Sequence, residues 1–386
     1  MARPALKTSI PYFVSDGSVH FRLGGELTSL EDTDGRVLGL LRLLDGTRDL
    51  DAVHRDLGAD YPDLTAEDVR EAVDDLDAIG LVQDTTDRGE DFDAAARERW
   101  SNNLGFFETY ASLGTSKYEF QRRIRDARVA VLGVGGIGSH TLIDLVAIGF
   151  TDIRIVDFDK IEVSNFNRQI IYGEPDVGRT KVHVAAERAR RLNSRVRVDA
   201  VEAKLMSADD VYAVVHDRDI VIAVVDRPKV HVAHWLNEGC VRAGTTLVSG
   251  GVDTQRAIHY TMVPGVSGCV ECWYGQVRRD DPTSRMVLDV LDDIDREGSA
   301  YGEDTAAFNG LVVVAAAHMV SEMVRLASRV CPPLAVGRLL EQTFHNPRVR
   351  EAEAWTRDPD CAVCRDARPA AGAEWLTRVD REELPF

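Results

Sequence analysis

The 386-residue chain has only six cysteines, too sparse for a disulfide framework. Positive charge is also short. Lys and Arg number 46 against 64 Asp and Glu, for a net charge of −18, which argues against a general nucleic-acid binder. That total says little about a peptide partner, because charge can be locally uneven. Met1 to Ile10 lacks the long apolar core of a signal peptide, and no internal repeat is visible. The most apolar helical stretch, Leu311 to Leu326, contains His318, Ser321, Glu322 and Arg325. It reads as too polar and short to span a bilayer and is expected in the core or at a dimer interface. No membrane and no nucleic-acid partner are therefore expected. Free thiols fit a reduced, cytoplasmic setting. The apolar fraction of 44% supports a real core, and the length favours two or three domains.

What is present centres on residues 131–181. The apolar run Val129-Ala130-Val131-Leu132 is followed by Gly133-Val134-Gly135-Gly136-Ile137-Gly138. This order predicts a strand, a glycine turn and a helix whose free N–H groups attract phosphate oxygens. Gly133 permits the tight turn, Gly135 admits a phosphate close to the backbone, and Gly138 lets the helix pack against the sheet. Gly136 belongs to the same turn, and Ser139 to Phe150 reads as the helix. Ile153-Arg154-Ile155-Val156 reads as the second strand. Asp157 ends it, at the usual place for a carboxylate that grips ribose hydroxyls, and Asp159 follows in the same loop.

A redox dinucleotide site needs little beyond that acid. Here Asn165, Arg168, Gln169 and Lys181 follow. The two cations among them, Arg168 and Lys181, suit a triphosphate and a departing pyrophosphate. A further strand, Asp219 to Val225, ends at Asp226. Ligands of open parallel sheets bind at strand carboxyl ends, so Asp226 is a candidate to hold Mg²⁺ against phosphates.

Four cysteines form two CxxC pairs, Cys269 with Cys272 and Cys361 with Cys364. Two such knuckles make a closed tetrahedral Zn²⁺ site, which is structural rather than catalytic. Gly268 and Gly275 beside the first knuckle favour this reading over a redox pair. Cys240 lies on a predicted helix beside Trp235 and Val241 and reads as core. Cys331 precedes Pro332-Pro333. A thioester on Cys240 or Cys331 stays open, but neither has a convincing nucleophile setting.

The motifs from Gly133 to Ser139, Ile155 to Gln169, Asp176 to Lys181 and Val224 to Asp226 together resemble the adenylating domain shared by ThiF, MoeB and the ubiquitin-activating enzymes. The resemblance spans roughly residues 95–365. It implies an α/β fold: a Rossmann-like domain with a mixed, mainly parallel sheet and a structural Zn site. It also implies adenylation of a carboxylate, usually the C-terminus of a small protein or peptide, with ATP and Mg²⁺. By it, Gly133, Gly135, Gly136, Gly138, Asp157 and Asp159 line the ATP site. Asn165, Arg168, Gln169 and Lys181 face the phosphates. Asp226, with Arg168 and Lys181, serves the chemistry. Two departures stand out. Arg227-Pro228 follow Asp226 where the family often has Asn, and the segment that donates an Arg to a partner's active site keeps only Arg99. Arg122 and Arg123 are weaker alternatives. The resemblance also implies the split tetrathiolate and a two-fold homodimer.

The first ninety residues read as a separate unit. Val19 to Leu23 alternates like a strand and Gly24-Gly25 turns it. Helices are predicted over Val37 to Leu44, Leu50 to Leu57, and from Thr65, where a capping-box pattern starts. Val69, Val73, Leu76 and Ile79 line the third helix's buried face, and Leu81-Val82 opens a closing strand. A small winged-helix domain over 1–84 is expected, then a linker with helices over 85–125, then the adenylating domain over 126–386. The pattern from Leu41 to Val82 resembles the PqqD-like leader-recognition domains of ribosomal-peptide biosynthesis. The layout as a whole is similar to the microcin-C type of peptide-adenylating enzyme. That resemblance implies a leader peptide added as a strand to a sheet edge, in a groove between Val19–Leu23 and Val69–Ile79. It also allows for a downstream modifying enzyme. Two alternatives remain: activation of a ubiquitin-like sulfur carrier, and a non-catalytic scaffold that presents leader. The acidic, weakly periodic stretch Asp280 to Thr305 is expected to be a flexible loop over the site.

Overall fold

The computed structural model describes residues 2–227, 231–280, 282–297, 307–369 and 373–377. The chain divides into two compact units, one running through Arg123 and the other starting at Ile124.

In the first unit, β1 (Pro4–Leu6) is followed by three strands, β2 (Tyr12–Ser15), β3 (Ser18–Leu23) and β4 (Glu26–Glu31). The three make an antiparallel meander in the order β2-β3-β4. Asp16-Gly17 and Gly24-Gly25, all at positive φ, form the tight turns that match the strands' twist. Alternation sets the faces: Val19 and Phe21 are buried, while Phe13 stacks on His20 on the opposite side. Helices α1 (Arg36–Leu43), α2 (Leu50–Leu57) and α3 (Ala66–Ala78) come next. Asp49 caps α2 by accepting from Ala52 N. Thr65 and Asp68 close the predicted capping box on α3. Val19, Phe21, Leu41, Val53, Leu57, Val69, Val73 and Leu76 share one core.

The closing strand β5 (Val82–Asp84) forms as expected and pairs antiparallel with β1. One expectation for this unit needs correction. The strand over Val19–Leu23 is the middle of its sheet, hydrogen-bonded on both sides. A strand with both edges filled has no free N–H or C=O row to offer a peptide. The open edges are β2 and β4. Helices α4 (Ala94–Arg99), α5 (Ser101–Glu108) and α6 (Lys117–Asp126) follow. Buried Glu108 on α5 accepts from Gln83 Nε2 (2.8 Å), Thr8 Oγ1 (2.7 Å) and Lys117 Nζ (2.8 Å), which ties these helices to β5 and the N-terminal segment.

The second unit is built on an eight-stranded sheet, β13-β12-β11-β10-β9-β6-β7-β8. The chain lays down β6 (Arg128–Leu132), α7 (Gly136–Ile148), β7 (Asp152–Asp157), α8 (Lys181–Leu192), β8 (Arg197–Glu202), α9 (Ala208–Val215), β9 (Ile220–Ala223), α10 (His231–Ala243) and β10 (Thr246–Asp253). These five strands are parallel. β6 to β8 grow the sheet one way and β9 starts on the other flank of β6. The crevice between β6 and β9 is thus the topological switch point, where such sheets bind ligands. β11 (Arg256–Met262), α11 (Val270–Asp280), α12 (Pro282–Glu297), α13 (Asn309–Ser328), β12 (Arg338–Thr343) and β13 (Asn346–Ala354) complete the unit, with β11 to β13 antiparallel.

The expected flexible loop Asp280 to Thr305 instead contains α12. Pro282 sits at its first position, where a missing N–H costs nothing, and Leu288 is buried while Met286, Val287 and Val290 are exposed. Dense acids hid this spacing in the sequence. Residues 298–306 lie outside the described residues.

α13 is long and apolar enough to cross a membrane by length and composition. Here it packs on α7, β10 and β11, with Ala315, Ala316, Met319 and Met323 fully covered. Its polar residues are spoken for. Buried Glu322 accepts from Leu334 N (2.9 Å) and Ala335 N (3.2 Å) and pairs with Arg325 (3.0 Å). His318 stacks on His259 of β11 at 5.2 Å. Burial, with His318 and Arg325 facing it, pulls the His259 imidazole down from 6.5 to about 3. A histidine depressed in the folded state favours the neutral fold, so its cost appears as pH falls below about 6.5. Unfolding stability should therefore drop with acid between pH 6.5 and 4, this site contributing up to about 1.4 kcal/mol per pH unit. The variant His259→Phe should show a shallower acid slope in urea titrations at several pH values. Equal slopes would contradict this assignment.

Candidate active site and metal centre

At the carboxyl end of β6 the chain turns at Gly133, whose φ of 89° is left-handed and unfavourable for a side chain. A Cβ on Gly138 would lie 1.8 Å from Gly133 O, so only glycine lets α7 start this close to the strand. Gly135 is the residue before α7 and no side chain caps the helix there. The first N–H groups of α7 are therefore available to an anion. Beside Gly135 a Cβ would meet only Gln169 Nε2, at 3.7 Å. Beside Gly136 it would meet Arg168 Cγ at 3.3 Å. Both residues of the downstream motif thus close over the glycine turn.

Asp157 links the two strand ends. Its Oδ2 accepts from Val134 N and its Oδ1 from Asp159 N, both at 2.8 Å. The carboxylate is buried, and burial raises its pKa although Lys181 and both N–H groups oppose the shift. Lys181, buried at the start of α8, places Nζ 2.8 Å from Asp159 Oδ2, and its N–H donates to Asp159 O at 3.0 Å. Asp159 thus holds Lys181 from both ends. Asn165 is buried and its Oδ1 accepts from Glu162 N at 3.1 Å, which shapes the loop carrying Arg168. Arg168 is half-buried, with Nη1 donating to Asn167 Oδ1 at 2.8 Å. Gln169 is buried and its Oε1 has no hydrogen-bond partner among the described residues. An orphaned acceptor beside an open glycine turn fits a ligand that donates there.

Asp226 lies just past β9 and is exposed. The preceding Val224 and Val225 lie against Gly133, with Val224 O 3.2 Å and Val225 Cγ1 3.1 Å from where a Cβ on that glycine would stand. The acid therefore flanks the glycine turn at the switch point, where an exposed carboxylate fits a hydrated Mg²⁺. Arg99 is the exposed last residue of α4, in the first unit. Arg122 is engaged elsewhere, paired with Asp87 at 2.7 Å and Asp91 at 2.9 Å, and Arg123 pairs with Glu119 at 3.1 Å.

Sequence reasoning missed Tyr172. Its buried hydroxyl donates to Val134 O at 2.8 Å and lies 3.5 Å from Lys181 O, so it ties the glycine turn to the start of α8. A tyrosine closing the apolar Ile170-Ile171 pair just after the motif was the available signal.

The four knuckle cysteines converge. Their Sγ atoms lie within 4.8 Å of one another, with neighbouring pairs at 3.9, 3.7 and 3.4 Å. A tetrahedron of Zn–S bonds has an edge of about 3.8 Å, so the cluster fits zinc. Asp358 N donates to Cys272 Sγ at 3.3 Å, a bond that favours the thiolate. Arg357 Nη2 donates to Cys364 O, Arg365 O and Ala367 O at 2.7, 2.8 and 2.9 Å, which clamps the second knuckle. Cys240 is fully buried and burial pushes its thiol up to about 12, in line with a core role. Cys331 is partly buried and stands apart from the cluster.

Residues 108–363 match the family described as ThiF. Among curated relatives, the sulfur carrier protein adenylyltransferase of Thermus thermophilus is 30% identical over 257 residues, which is 64% of this chain and 86% of that protein. The adenylyltransferase and sulfurtransferase MOCS3 of Arabidopsis thaliana is 29% identical over 252 residues, and the chain spans only about half of it, 49%. Among solved structures, E. coli MccB with ATP superposes with a TM-score of 0.72 at 22% identity, covering 94% of this chain and 99% of that one. The same protein with MccA-N7isoASN gives 0.73 at 21% identity, with 94% and 99% covered. At these identities the likeness is one of fold.

The cysteine geometry makes a direct prediction. Purified, reduced protein should carry one zinc per chain, by elemental analysis. Cys364→Ser should weaken retention against a chelator by more than the roughly 10- to 100-fold that outer-shell changes cost. Unchanged zinc content in that variant would contradict a four-thiolate site.

Proposed function

The chain belongs to the ThiF family and is an ATP-dependent adenylyltransferase; from that premise we propose that the carboxylate it activates belongs to a ribosomally made precursor peptide, whose leader the first unit binds. One observation carries this reading. The fold likeness to the MccB structures extends over 94–95% of the chain, including the first unit, most of which lies outside the ThiF match over residues 108–363. In one of those structures MccB is in complex with N-formylated MccA. In this reading the first unit is a winged-helix, PqqD-like domain. The leader adds to an outer strand of the meander, β2 or β4, against α3.

In the site, Asp157 grips the ribose and the uncapped start of α7 receives phosphate oxygens. Gln169 offers its orphaned acceptor to the same ligand. A carboxylate oxygen of the peptide attacks the α-phosphorus and pyrophosphate leaves. Arg168 and Lys181 take up the charge of the leaving group. The ammonium of Lys181 has three donors, so its bond to Asp159 leaves others for phosphate. Asn165 keeps the Arg168 loop in shape. Asp226 would hold Mg²⁺, which screens the two anions that must meet. The zinc cluster is structural, holding residues 269–272 against 361–364. We read the assembly as a two-fold homodimer in the cytoplasm, with Arg99 reaching the partner's site and a modifying enzyme acting downstream.

The 30% identity to a sulfur carrier protein adenylyltransferase favours a second reading, activation of a ubiquitin-like carrier by the second unit. A scaffold without chemistry has no use for Asp157, Arg168, Lys181 and Asp226 together. ATP–pyrophosphate exchange separates these readings. Exchange stimulated by a short precursor-like peptide supports the first, exchange that needs a folded carrier ending in Gly-Gly supports the second, and none with either supports the scaffold. Asp226→Ala should lower exchange by roughly 10²- to 10³-fold while a fluorescent leader peptide still binds. Loss of both would show that Asp226 supports the fold instead of holding a metal.

A further inference from the structure

Two large aromatic rings stand in the open on the active-site side of the sheet. Phe308 is 59% exposed and Phe344 67%. Their rings meet edge to face, with centroids 5.7 Å apart and planes at 90°. The edge-to-face geometry is a favourable one, yet most of the pair's surface remains in water.

Chain connections fix where this pair stands. Phe308 is the residue before α13. Next to it, Ala307 O accepts from Asn167 Nδ2 at 3.4 Å, beside Arg168. Asn309 Oδ1 lies 3.2 Å from His140 Nε2 on α7. One turn on, Val312 Cγ1 is 3.4 Å from where a Gly136 Cβ would stand. Phe344 sits in the turn between β12 and β13, and its N–H donates to Gln255 O at 2.7 Å, in the turn between β10 and β11. β10 pairs with β9 up to Ser249 opposite Ala223 and then continues through Gly250 to Asp253. The turn at its tip therefore rises about 13 Å beyond the end of β9, on the carboxyl side of the sheet. In strand order the glycine turn follows β6, Asp226 follows β9, and the aromatic pair crowns β10 and β11. The start of α13 thus brings Phe308 to the same side as Asn167 and Gly136, and the β10–β11 turn brings Phe344 to it.

The nucleoside takes the other flank, because the ribose acid Asp157 ends β7. The acyl group must then reach the α-phosphate from the side of β9 and β10. We infer that Phe308 and Phe344 form the acyl subsite, taking an apolar side chain next to the carboxylate that is activated. This rests on the adenylation reading above and adds a substrate class to it: chains whose last residue is aliphatic or aromatic rather than acidic or glycine.

The test uses non-hydrolysable acyl-adenylate mimics with the full-length chain. The probes are 5′-O-sulfamoyladenosine alone and its N-acetyl-leucyl, N-acetyl-phenylalanyl, N-acetyl-glycyl and N-acetyl-aspartyl forms, with affinities from calorimetry. The leucyl and phenylalanyl forms should bind roughly tenfold or more tightly than the glycyl and aspartyl forms. Phe344→Ala and Phe308→Ala should each erase most of that preference, while affinity for the unacylated probe and the unfolding temperature hold. If the unacylated probe binds but apolar acyl groups gain nothing, or the variants keep the preference, the acyl subsite is wrong and adenylation stands. If a variant instead shifts the sedimentation coefficient and leaves acyl preference intact, the pair is a contact between copies and the inference falls. If no adenosine probe binds, adenylation itself falls and takes the subsite with it.

Discussion

The buried carboxylate of Asp157 is the constraint on which the nucleotide crevice depends. One oxygen is held by the turn after β6 and the other by the loop after β7. The two parallel strand ends are thereby locked at one relative height. Burial disfavours the charge, and Lys181 answers it electrostatically across Asp159. Tyr172 fastens the same glycine turn to the start of α8. A rigid ring of short polar contacts thus surrounds an opening lined by uncapped N–H groups. Preorganisation of this kind spares a site the reorganisation that water would demand when charge moves.

The other end of the unit is stabilised by different physics. β11 to β13 are antiparallel, and β13 is an outer strand exposed along its length. Little apolar burial holds it there. It is held by its hydrogen-bonded pairing with β12 and, just past its end, by Trp355, which packs with the four cysteines and whose indole donates to Gly268 O at 3.1 Å. The half that binds nucleotide is secured by packing around β6 and β9, and the antiparallel half by this ladder, the sulfur cluster and α13.

Much of this was legible locally. The glycine turn, the Thr65 capping box and the helix over Leu50–Leu57 depend on neighbours within a few residues, and each stands where the pattern put it. The spacing of the CxxC pairs pointed to four sulfurs that do converge, and Asp157 stands at the strand end where the pattern put it. The misreadings have separate causes. The strand at Val19 lies mid-sheet because a hairpin flanks it on each side, and its own alternation does not tell a central strand from an edge one. The helix over Pro282–Glu297 was masked by acids that face water. Tyr172, the His259–His318 stack and the Phe308–Phe344 pair gain meaning only when separate segments meet, so no window of sequence could have disclosed them.

The cluster joins cysteines 92 positions apart. Closing so long a loop has an entropic penalty that grows only slowly with length, but it imposes an order on biosynthesis. All the parallel strands have left the ribosome well before Cys361 is made. A nascent chain can thus shape its glycine turn and parallel strands early, while the four sulfurs meet only once the second knuckle has been made. The cluster is a late seal, set after the sheet that it fastens.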